Sequence, residues 1–257
     1  MPNLFEARWG IRCLVLVCLM TCAGCARFSL LPDKATPLSD DVTIQQIAPS
    51  VWLYTASFNL PEYGRVPANG LMLVDKNEAL LVNTPWTDSQ TALLFDWARE
   101  KRQAPIRKVI LTHSHQDCAG GLAEVHRRGA ESWALDKTAD LLKAAGKPSP
   151  THTFPEKTTV SCGNKAVELF YPGPGHALDN IVAWLPESRI LFAGCLAKSL
   201  DAKNLGNTKD GDLQRYPDSL KTVKRTCPDA VLVVPGHGAA GGPELLDHSL
   251  RLCENRN

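Results

Sequence analysis

The sequence has no excess of charge of either sign. Its 257 residues include 28 lysines and arginines and 27 aspartates and glutamates, which gives a formal net charge of +1. Residues 1–24 contain two of the basic and one of the acidic residues, so the rest of the chain carries 26 of each. Proteins that bind nucleic acid or anionic membranes through charge present a basic surface. We therefore expect no nucleic-acid partner.

The sequence also lacks an apolar run long enough to form a stable transmembrane helix. A short uncharged apolar stretch follows two arginines and ends in small residues near Gly24, the pattern of a secretory signal peptide over residues 1–24. The "AGC" that ends at Cys25 resembles a bacterial lipobox, although Cys22 stands where leucine is usual. We expect lipidation of Cys25 and a periplasmic protein anchored to the outer membrane. The alternative is an ordinary signal peptide cleaved nearby.

A dense disulfide framework is absent. Of the nine cysteines, three leave with the signal peptide, and Cys25 is the expected lipidation site. The five that remain are scattered along the chain, unlike those of small disulfide-rich domains: Cys118, Cys162, Cys195, Cys227 and Cys253. Zinc ligation is one use for such thiols, and a bridge from Cys227 to Cys253 is another arrangement that the sequence leaves open.

No internal repeat or low-complexity tract divides the chain. After a linker over residues 25–41, residues 42–257 have the length and apolar content of one α/β domain. Strand-like runs followed by a helix and another strand occur twice, and a Thr87 to Gln90 capping box starts the first long helix. This order predicts two mixed sheets packed between helices, a four-layer αβ/βα sandwich. The segment "NLPEYGRVPA" between two early strands predicts a mobile loop with Tyr63 exposed at its tip.

Six potential metal ligands follow predicted strands, next to small residues. "HSHQD" supplies His113, His115 and Asp117, whose spacing by two would place all three on one side of an extended strand end. The others are His176 in "PGPGH", Cys195 in "LFAGC" and His237 in "PGHG". Imidazole, thiolate and carboxylate are the ligands that zinc prefers. Six of them suit two zinc ions with three ligands each.

The motifs "HSHQD", "GPGHALDN", "LFAGCLAK", "LGN" and "PGHG", in this order and spacing, resemble the first subclass of class B metallo-β-lactamases across about residues 42 to 253. The resemblance implies that His113, His115 and His176 hold one zinc ion, and that Asp117, Cys195 and His237 hold a second. It implies hydrolysis of the β-lactam amide bond by zinc-bound hydroxide, which confers antibiotic resistance. Penicillins, cephalosporins and carbapenems are the implied substrates, monobactams are spared, and the enzyme is a monomer.

The resemblance also implies roles around the metals. Asp117 would orient the hydroxide, Lys198 would pair with the substrate carboxylate, and Asn207 would donate to the carbonyl oxygen. The segment that carries Phe58 and Tyr63, with Trp86 facing it, would form a flap over the substrate. Each has a simpler alternative: a surface lysine for Lys198, a turn asparagine for Asn207 and core packing for Trp86.

Three positions depart from the family pattern: Asn83 stands where aspartate is usual, Cys118 where arginine is frequent and Ala193 where glycine is common. Cys118 would be either a reactive thiol near the metal or a small buried filler. Two other functions stay open at this point. The chain could be another hydrolase of the same fold, acting on a thioester or lactone, or a periplasmic lipoprotein that binds zinc without catalysis.

Overall fold

The computed structural model describes residues 34–255. The predicted signal peptide, Cys25 and most of the predicted linker lie outside the described residues. The end of that linker is part of the fold, since Thr36–Pro37 forms the first strand of a sheet. Within the described range, no helix has the length and apolar character needed to cross a membrane.

The first sheet has eight strands that follow chain order from one edge to the other. Neighbours are antiparallel from the first strand to the fifth and parallel from the fifth to the eighth. The strands are β1 (Thr36–Pro37), β2 (Val42–Ala48), β3 (Val51–Leu60), β4 (Gly64–Asp75), β5 (Glu78–Val82), β6 (Ile106–Ile110), β7 (Glu131–Leu135) and β8 (His152–Phe154).

The second sheet has five strands in reverse chain order, and it is also mixed. Its last two strands along the chain are parallel, and the other neighbouring pairs are antiparallel. The strands are β9 (Lys157–Cys162), β10 (Lys165–Phe170), β11 (Val182–Leu185), β12 (Ile190–Gly194) and β13 (Leu232–Pro235).

The helices of the described chain are α1 (Asp88–Arg102), α2 (Gln116–Ala119), α3 (Leu122–Arg127), α4 (Asp136–Ala144), α5 (Tyr216–Thr226) and α6 (Glu244–Glu254). Thr87 caps α1 as predicted, because its hydroxyl accepts from the Gln90 amide N at 3.2 Å. The reciprocal half of the capping box is not made. The Gln90 side chain donates instead to the Ser57 carbonyl at 2.8 Å and so ties α1 to β3.

Three clusters of buried apolar side chains fill the spaces between four layers. β5 shows how the sequence builds them, since its residues alternate between its two faces. Leu81 packs with Leu94 of α1, whereas Leu80 and Val82 face the second sheet. The third cluster joins the second sheet to α5 and α6. Because β5 is buried on both faces, it appears in the sequence as a continuous apolar run. The predicted αβ/βα sandwich is confirmed.

The segment predicted as a mobile loop is instead a β-hairpin. β3 and β4 stay in register down to the pair of Leu60 and Gly64, and Pro67 lies inside β4. Gly64 takes φ +68°, a left-handed conformation that glycine adopts without steric cost, and this closes the tight turn. Tyr63 lies at the turn with 61% of its surface exposed. We call residues 58–66 the tip hairpin.

Candidate metal centre

Three imidazoles converge where β6 and β10 give way to loops. The rings of His113, His115 and His176 are nearly perpendicular to one another, with centroids 4.6 to 5.2 Å apart. The Nε2 of His176 lies 3.3 Å from the Nδ1 of His115. Each ring offers a nitrogen within 4.8 Å of the others, and His113 and His176 are buried. We call these residues the histidine group.

Asp117, Cys195 and His237 form a second set beside the first, which we call the mixed group. The Cys195 Sγ lies 3.4 Å from the Asp117 Oδ2, and the His237 Nε2 lies 3.2 Å from the same oxygen. The two groups touch, because the His113 Nε2 is 3.9 Å from the Asp117 Oδ1. All six sequence-predicted ligands are therefore brought together.

The histidines converge for a different reason from the one expected. β6 ends at Ile110, and residues 111–115 run as a loop with bends into α2. His113 and His115 are therefore not alternate positions of a strand, and Asp117 lies in the first turn of a helix. The loop is shaped by side chains from elsewhere: the Asp179 Oδ2 accepts from the Ser114 amide at 2.8 Å.

Hydrogen bonds around the ligands fix which nitrogens face inward. The His237 Nδ1 lies 2.7 Å from the Pro67 carbonyl oxygen and donates to it, which leaves its Nε2 toward Asp117. The His115 Nε2 lies 3.3 Å from the Asp210 Oδ2, which leaves its Nδ1 toward His176. Partners of this kind hold metal-binding histidines in one tautomer and orientation.

Pro67, Asp210 and Asn69 are further parts of this site that no sequence motif indicates. The Asn69 side chain donates to the Pro235 and Gly238 carbonyls at 3.0 and 2.8 Å, and so holds the loop that carries His237. Only the position of Asn69, before a glycine in a predicted strand, could have drawn attention to it. The sequence around Pro67 and Asp210 indicates only turns.

The pKa values of the ligands show where a cation fits. The Cys118 thiol donates to Cys195 and lowers the pKa of Cys195 well below its ordinary value. Burial lowers the pKa of His237, but the adjacent Cys195 and Asp117 outweigh burial, so its pKa is raised well above the usual value. Burial likewise opposes the same two neighbours at His113, whose pKa rises to about 9. A thiolate and a carboxylate next to one another favour a cation between them, and a divalent metal is one such cation.

Two members of the histidine group, His115 and His176, favour the neutral imidazole. Burial lowers the pKa of His176 well below its ordinary value, and burial also lowers the pKa of His115. Neutral imidazole is the form that binds metal. Nitrogen donors in one group, with nitrogen, oxygen and sulfur in the other, match the donor set of zinc. The residues present therefore fit two zinc ions.

Two residues that depart from the family pattern lie directly behind the ligands. The Asn83 Oδ1 accepts from both the amide and the hydroxyl of Thr112 at 2.9 Å. Its Nδ2 is buried and has no hydrogen-bond partner among residues 34–255. Cys118 is buried, with its Sγ 3.2 Å from the Nδ1 of His113. Cys118 is thus both a core residue and a neighbour of the metal ligands.

A cavity of about 800 Å³ opens onto both groups. One wall consists of Trp86 and the tip hairpin residues Leu60, Tyr63 and Val66. Another part of the lining, which we call the polar wall, contains Lys198, Lys203, Asn204 and Asn207. A concave site of this size, mostly apolar with a few polar groups, suits a drug-sized ligand.

The other predicted site residues are placed as follows. Lys198 is half-buried, and its backbone amide donates to the Ser249 hydroxyl of α6 at 2.8 Å. The Asn207 Oδ1 accepts from the Lys209 amide at 3.1 Å, as in the turn alternative, and Asn207 is also one of the residues that line the cavity. Trp86 lines the cavity although it is 5% exposed. Phe58 stacks on Trp86 with ring centroids 5.8 Å apart and is not among the residues that line the cavity.

Known proteins are similar to this chain in both sequence and fold. Residues 63–237 match the family described as the Metallo-beta-lactamase superfamily. The metallo-beta-lactamase type 2 of Bacteroides fragilis is 39% identical over 224 residues, which cover 87% of this chain and 90% of that protein. The structure of a metallo-beta-lactamase from Pontibacter korlensis, 37% identical, superposes with a TM-score of 0.81 and covers 84% of this chain and 100% of that one. The chain belongs to the metallo-β-lactamase superfamily.

Proposed function

We propose that the protein hydrolyses the amide bond of β-lactam antibiotics with two zinc ions and thereby confers resistance. The observation that carries the proposal is the contact between the histidine group and the mixed group at the base of one cavity, through His113 and Asp117. Because the two ligand sets are adjacent, metal ions held by them would lie close enough to act on the two atoms of one amide bond, the carbonyl oxygen and the ring nitrogen. We expect penicillins, cephalosporins and carbapenems as substrates and monobactams to be spared.

The histidine group would hold the first zinc ion, and the mixed group would hold the second. When bound, zinc supplies Lewis acidity and makes hydroxide available near neutral pH, so no protein nucleophile is needed. The carboxylate of Asp117 faces both groups. Its Oδ2 contacts the mixed group and its Oδ1 is turned toward His113, where it can accept a hydrogen bond from the attacking water and orient it.

Lys198 and Asn207 would orient the substrate from the polar wall. The half-buried ammonium of Lys198 can pair with the carboxylate that these bicyclic antibiotics carry. The turn at Asn207 fixes its amide group, so the side-chain N can donate to the carbonyl oxygen as negative charge develops there. Tyr63 and Trp86, on the apolar part of the cavity lining, would cover the apolar part of the substrate and exclude water.

Carbapenem ring opening, followed by ultraviolet absorbance, tests the proposal. The rate is measured before chelation, after chelation and after zinc is returned, with a glutathione thioester as a parallel substrate. We expect carbapenem turnover that chelation abolishes and zinc restores. Thioester cleavage with an intact carbapenem would assign the protein to another hydrolase class. Binding of two zinc ions without turnover of either substrate would leave a metal-binding role.

We also propose that the protein resides in the periplasm as a monomer anchored to the outer membrane through lipid on Cys25. The pattern of residues 1–24 supports export, and the "AGC" sequence supports lipidation. Radiolabelled palmitate should enter the full chain but not Cys25→Ala. Label in both proteins, or in neither, would contradict lipidation at this residue.

A further inference from the structure

Two of the cysteines in the described chain lie inside the metal centre. Cys118 is in the short helix α2, next to the ligand Asp117, and Cys195 directly follows β12. Their sulfur atoms lie within 4.8 Å of each other, in a cluster that also includes His113. Both side chains are buried, with 1% and 2% of their surfaces exposed. Both thiols are free in this structure.

The Cys195 sulfur is packed among groups of the metal centre. The backbone of Gly236, which directly follows β13, lies so close to Cys195 that a Cβ atom there would collide with its sulfur. Its other neighbours are Asp117 and Cys118, together with the imidazoles of His113 and His237. A disulfide requires the sulfur atoms to approach to about 2.05 Å, so the gap between these two sulfur atoms, at most 4.8 Å, closes when the bond forms.

We propose that Cys118 and Cys195 form a disulfide when the metal leaves the mixed group, and that this bond prevents the metal from returning. The inference rests on the proposed role of Cys195 as a zinc ligand. While zinc is bound, the sulfur electron pair of Cys195 is engaged and the sulfur is protected. Once zinc is lost, the Cys195 sulfur attacks one oxygen of a peroxide, which forms a sulfenic acid and releases water.

The Cys118 sulfur then attacks the oxidised sulfur of Cys195, the S–O bond breaks and a second water leaves. In total, two thiols lose two electrons and two protons, and one hydrogen peroxide becomes two waters. The mixed group loses its thiolate, because a disulfide sulfur does not replace a thiolate as a zinc ligand. A thiol reductant reverses the reaction by thiol–disulfide exchange.

The other cysteines provide internal controls. Cys162 lies in the cluster between the two sheets, where its thiol faces the Leu73 and Glu78 carbonyls at 3.5 Å. Cys227 lies at the end of α5, in the cluster beneath that helix. Neither belongs to the metal-ligand clusters of the described chain. Cys227→Ser therefore removes a buried thiol outside the metal centre.

The test uses the protein with zinc bound and after chelation. Both samples receive one equivalent of hydrogen peroxide, unreacted thiols are alkylated, and peptides are mapped by mass spectrometry. We expect a peptide pair joined through Cys118 and Cys195 in the chelated sample only, with a loss of two thiols per chain. Reloading, measured with a fluorescent zinc indicator, should fall by one zinc equivalent and recover after dithiothreitol.

Cys118→Ser separates the disulfide from simple oxidation of Cys195. With no second thiol present, and with a second equivalent of hydrogen peroxide supplied to this variant and to the unmodified protein alike, the sulfenic acid at Cys195 should be oxidised to sulfinic acid with release of a second water, and dithiothreitol should no longer restore zinc uptake. Cys227→Ser should behave as the unmodified protein does. Loss of thiols without the joined peptides would overturn the proposal, and so would equal cross-linking with zinc bound. No β-lactam is involved, so a failure of this test is distinct from a failure of the proposed function.

Discussion

His237 of the mixed group and Pro67 of β4 are joined by a hydrogen bond of 2.7 Å, from the imidazole Nδ1 to the backbone carbonyl. Asn69, two residues further along β4, donates to carbonyls on both sides of His237. The strand that carries the tip hairpin therefore also sets the position of a predicted metal ligand. One strand therefore supports both the residues that would cover the substrate and the geometry of the metal site.

Asn69→Ala should weaken metal binding without removing a ligand. Two carbonyls, one buried and one partly buried, lose their donor, which costs about 1 to 3 kcal/mol of unfolding free energy. Zinc affinity of the mixed group should fall by about 10- to 100-fold, the usual effect of losing an outer partner. Isothermal titration with zinc and urea unfolding measure the two effects.

Thr55→Val is the matched control for Asn69→Ala. The Thr55 hydroxyl donates to the Asn69 Oδ1 at 2.9 Å, so the substitution removes one hydrogen bond and keeps both carbonyl contacts. It should cost about 1 kcal/mol in stability and leave zinc affinity nearly unchanged. If Thr55→Val weakened zinc binding as much as Asn69→Ala, Asn69 would not act through the His237 loop.

The mixed group should bind zinc more weakly than the histidine group. Asn83 supplies no negative charge behind the ligands where aspartate is usual, and Cys118 supplies no arginine contact. A titration against a competing chelator should show two steps. Cys195→Ser should remove the weaker binding step, and His176→Ala should remove the tighter one. Asn83→Asp should reduce the difference in zinc affinity between the two groups. Equal affinities in the unmodified protein would show that these two positions have no effect on metal binding.

Lys198→Met should reduce kcat/KM for carboxylate-bearing β-lactams by about 10- to 100-fold, the value of a hydrogen bond to a charged group. The reduction should come mainly from KM, because Lys198 is placed to bind the carboxylate and not the amide. Lys203 lies on the same wall but is exposed. Lys203→Met should change kcat/KM by less than about fivefold. Similar losses from both variants would indicate a general charge effect.

Stability should fall at alkaline pH. Burial raises the pKa of Cys162 to about 11 and that of Cys227 to about 12, from an ordinary value of 9.0. Above pH 9 the unfolded chain releases these protons while the folded chain retains them. The unfolding free energy therefore decreases as pH rises from 9 toward 12. Burial also raises the pKa of Tyr54 and Tyr216, which adds to the loss above pH 10.

Urea unfolding midpoints between pH 7 and 11 measure this loss. Cys227→Ser should give a shallower decline than the unmodified protein, whatever its stability at pH 7. The comparison of slopes separates proton linkage from the packing cost of the substitution. Identical slopes would show that Cys227 does not contribute to the alkaline loss.

The proximity of the six candidate ligands could be predicted from the sequence because each follows a predicted strand and stands next to small residues. The reason for convergence could not, since the bends at residues 111–115 depend on Asp179, which lies far along the chain. The same holds for the contact between Asp210 and His115: "KDGD" carries only a turn signal. Contacts of this kind are set by the assembled fold and leave no local pattern.

The four layers could be predicted from the order of apolar runs, but several elements could not. β7, α4, β8 and β9 were absent from the prediction. β8 is three residues long, and β9 alternates polar with buried residues at one edge of its sheet. Strands this short gain their stability from the neighbouring ladder, not from their own sequence. The tip hairpin was predicted as a loop because its prolines and Gly64 are typical of loops. The pairing of β4 with β3, which makes this segment a hairpin, is not visible in the local sequence.

The hydrogen bond from His237 to Pro67 uses a backbone carbonyl, and the close contacts of β4 with Gly236 and Pro235 also use main-chain atoms on one side. The side chains at the turn, Leu60 and Tyr63, take no part in them. Substitutions at Leu60 and Tyr63 therefore leave the contacts that position His237 in place. Under drug selection, we expect adaptive substitutions to accumulate at the turn, where they can widen or narrow the range of antibiotics while the metal geometry is inherited intact.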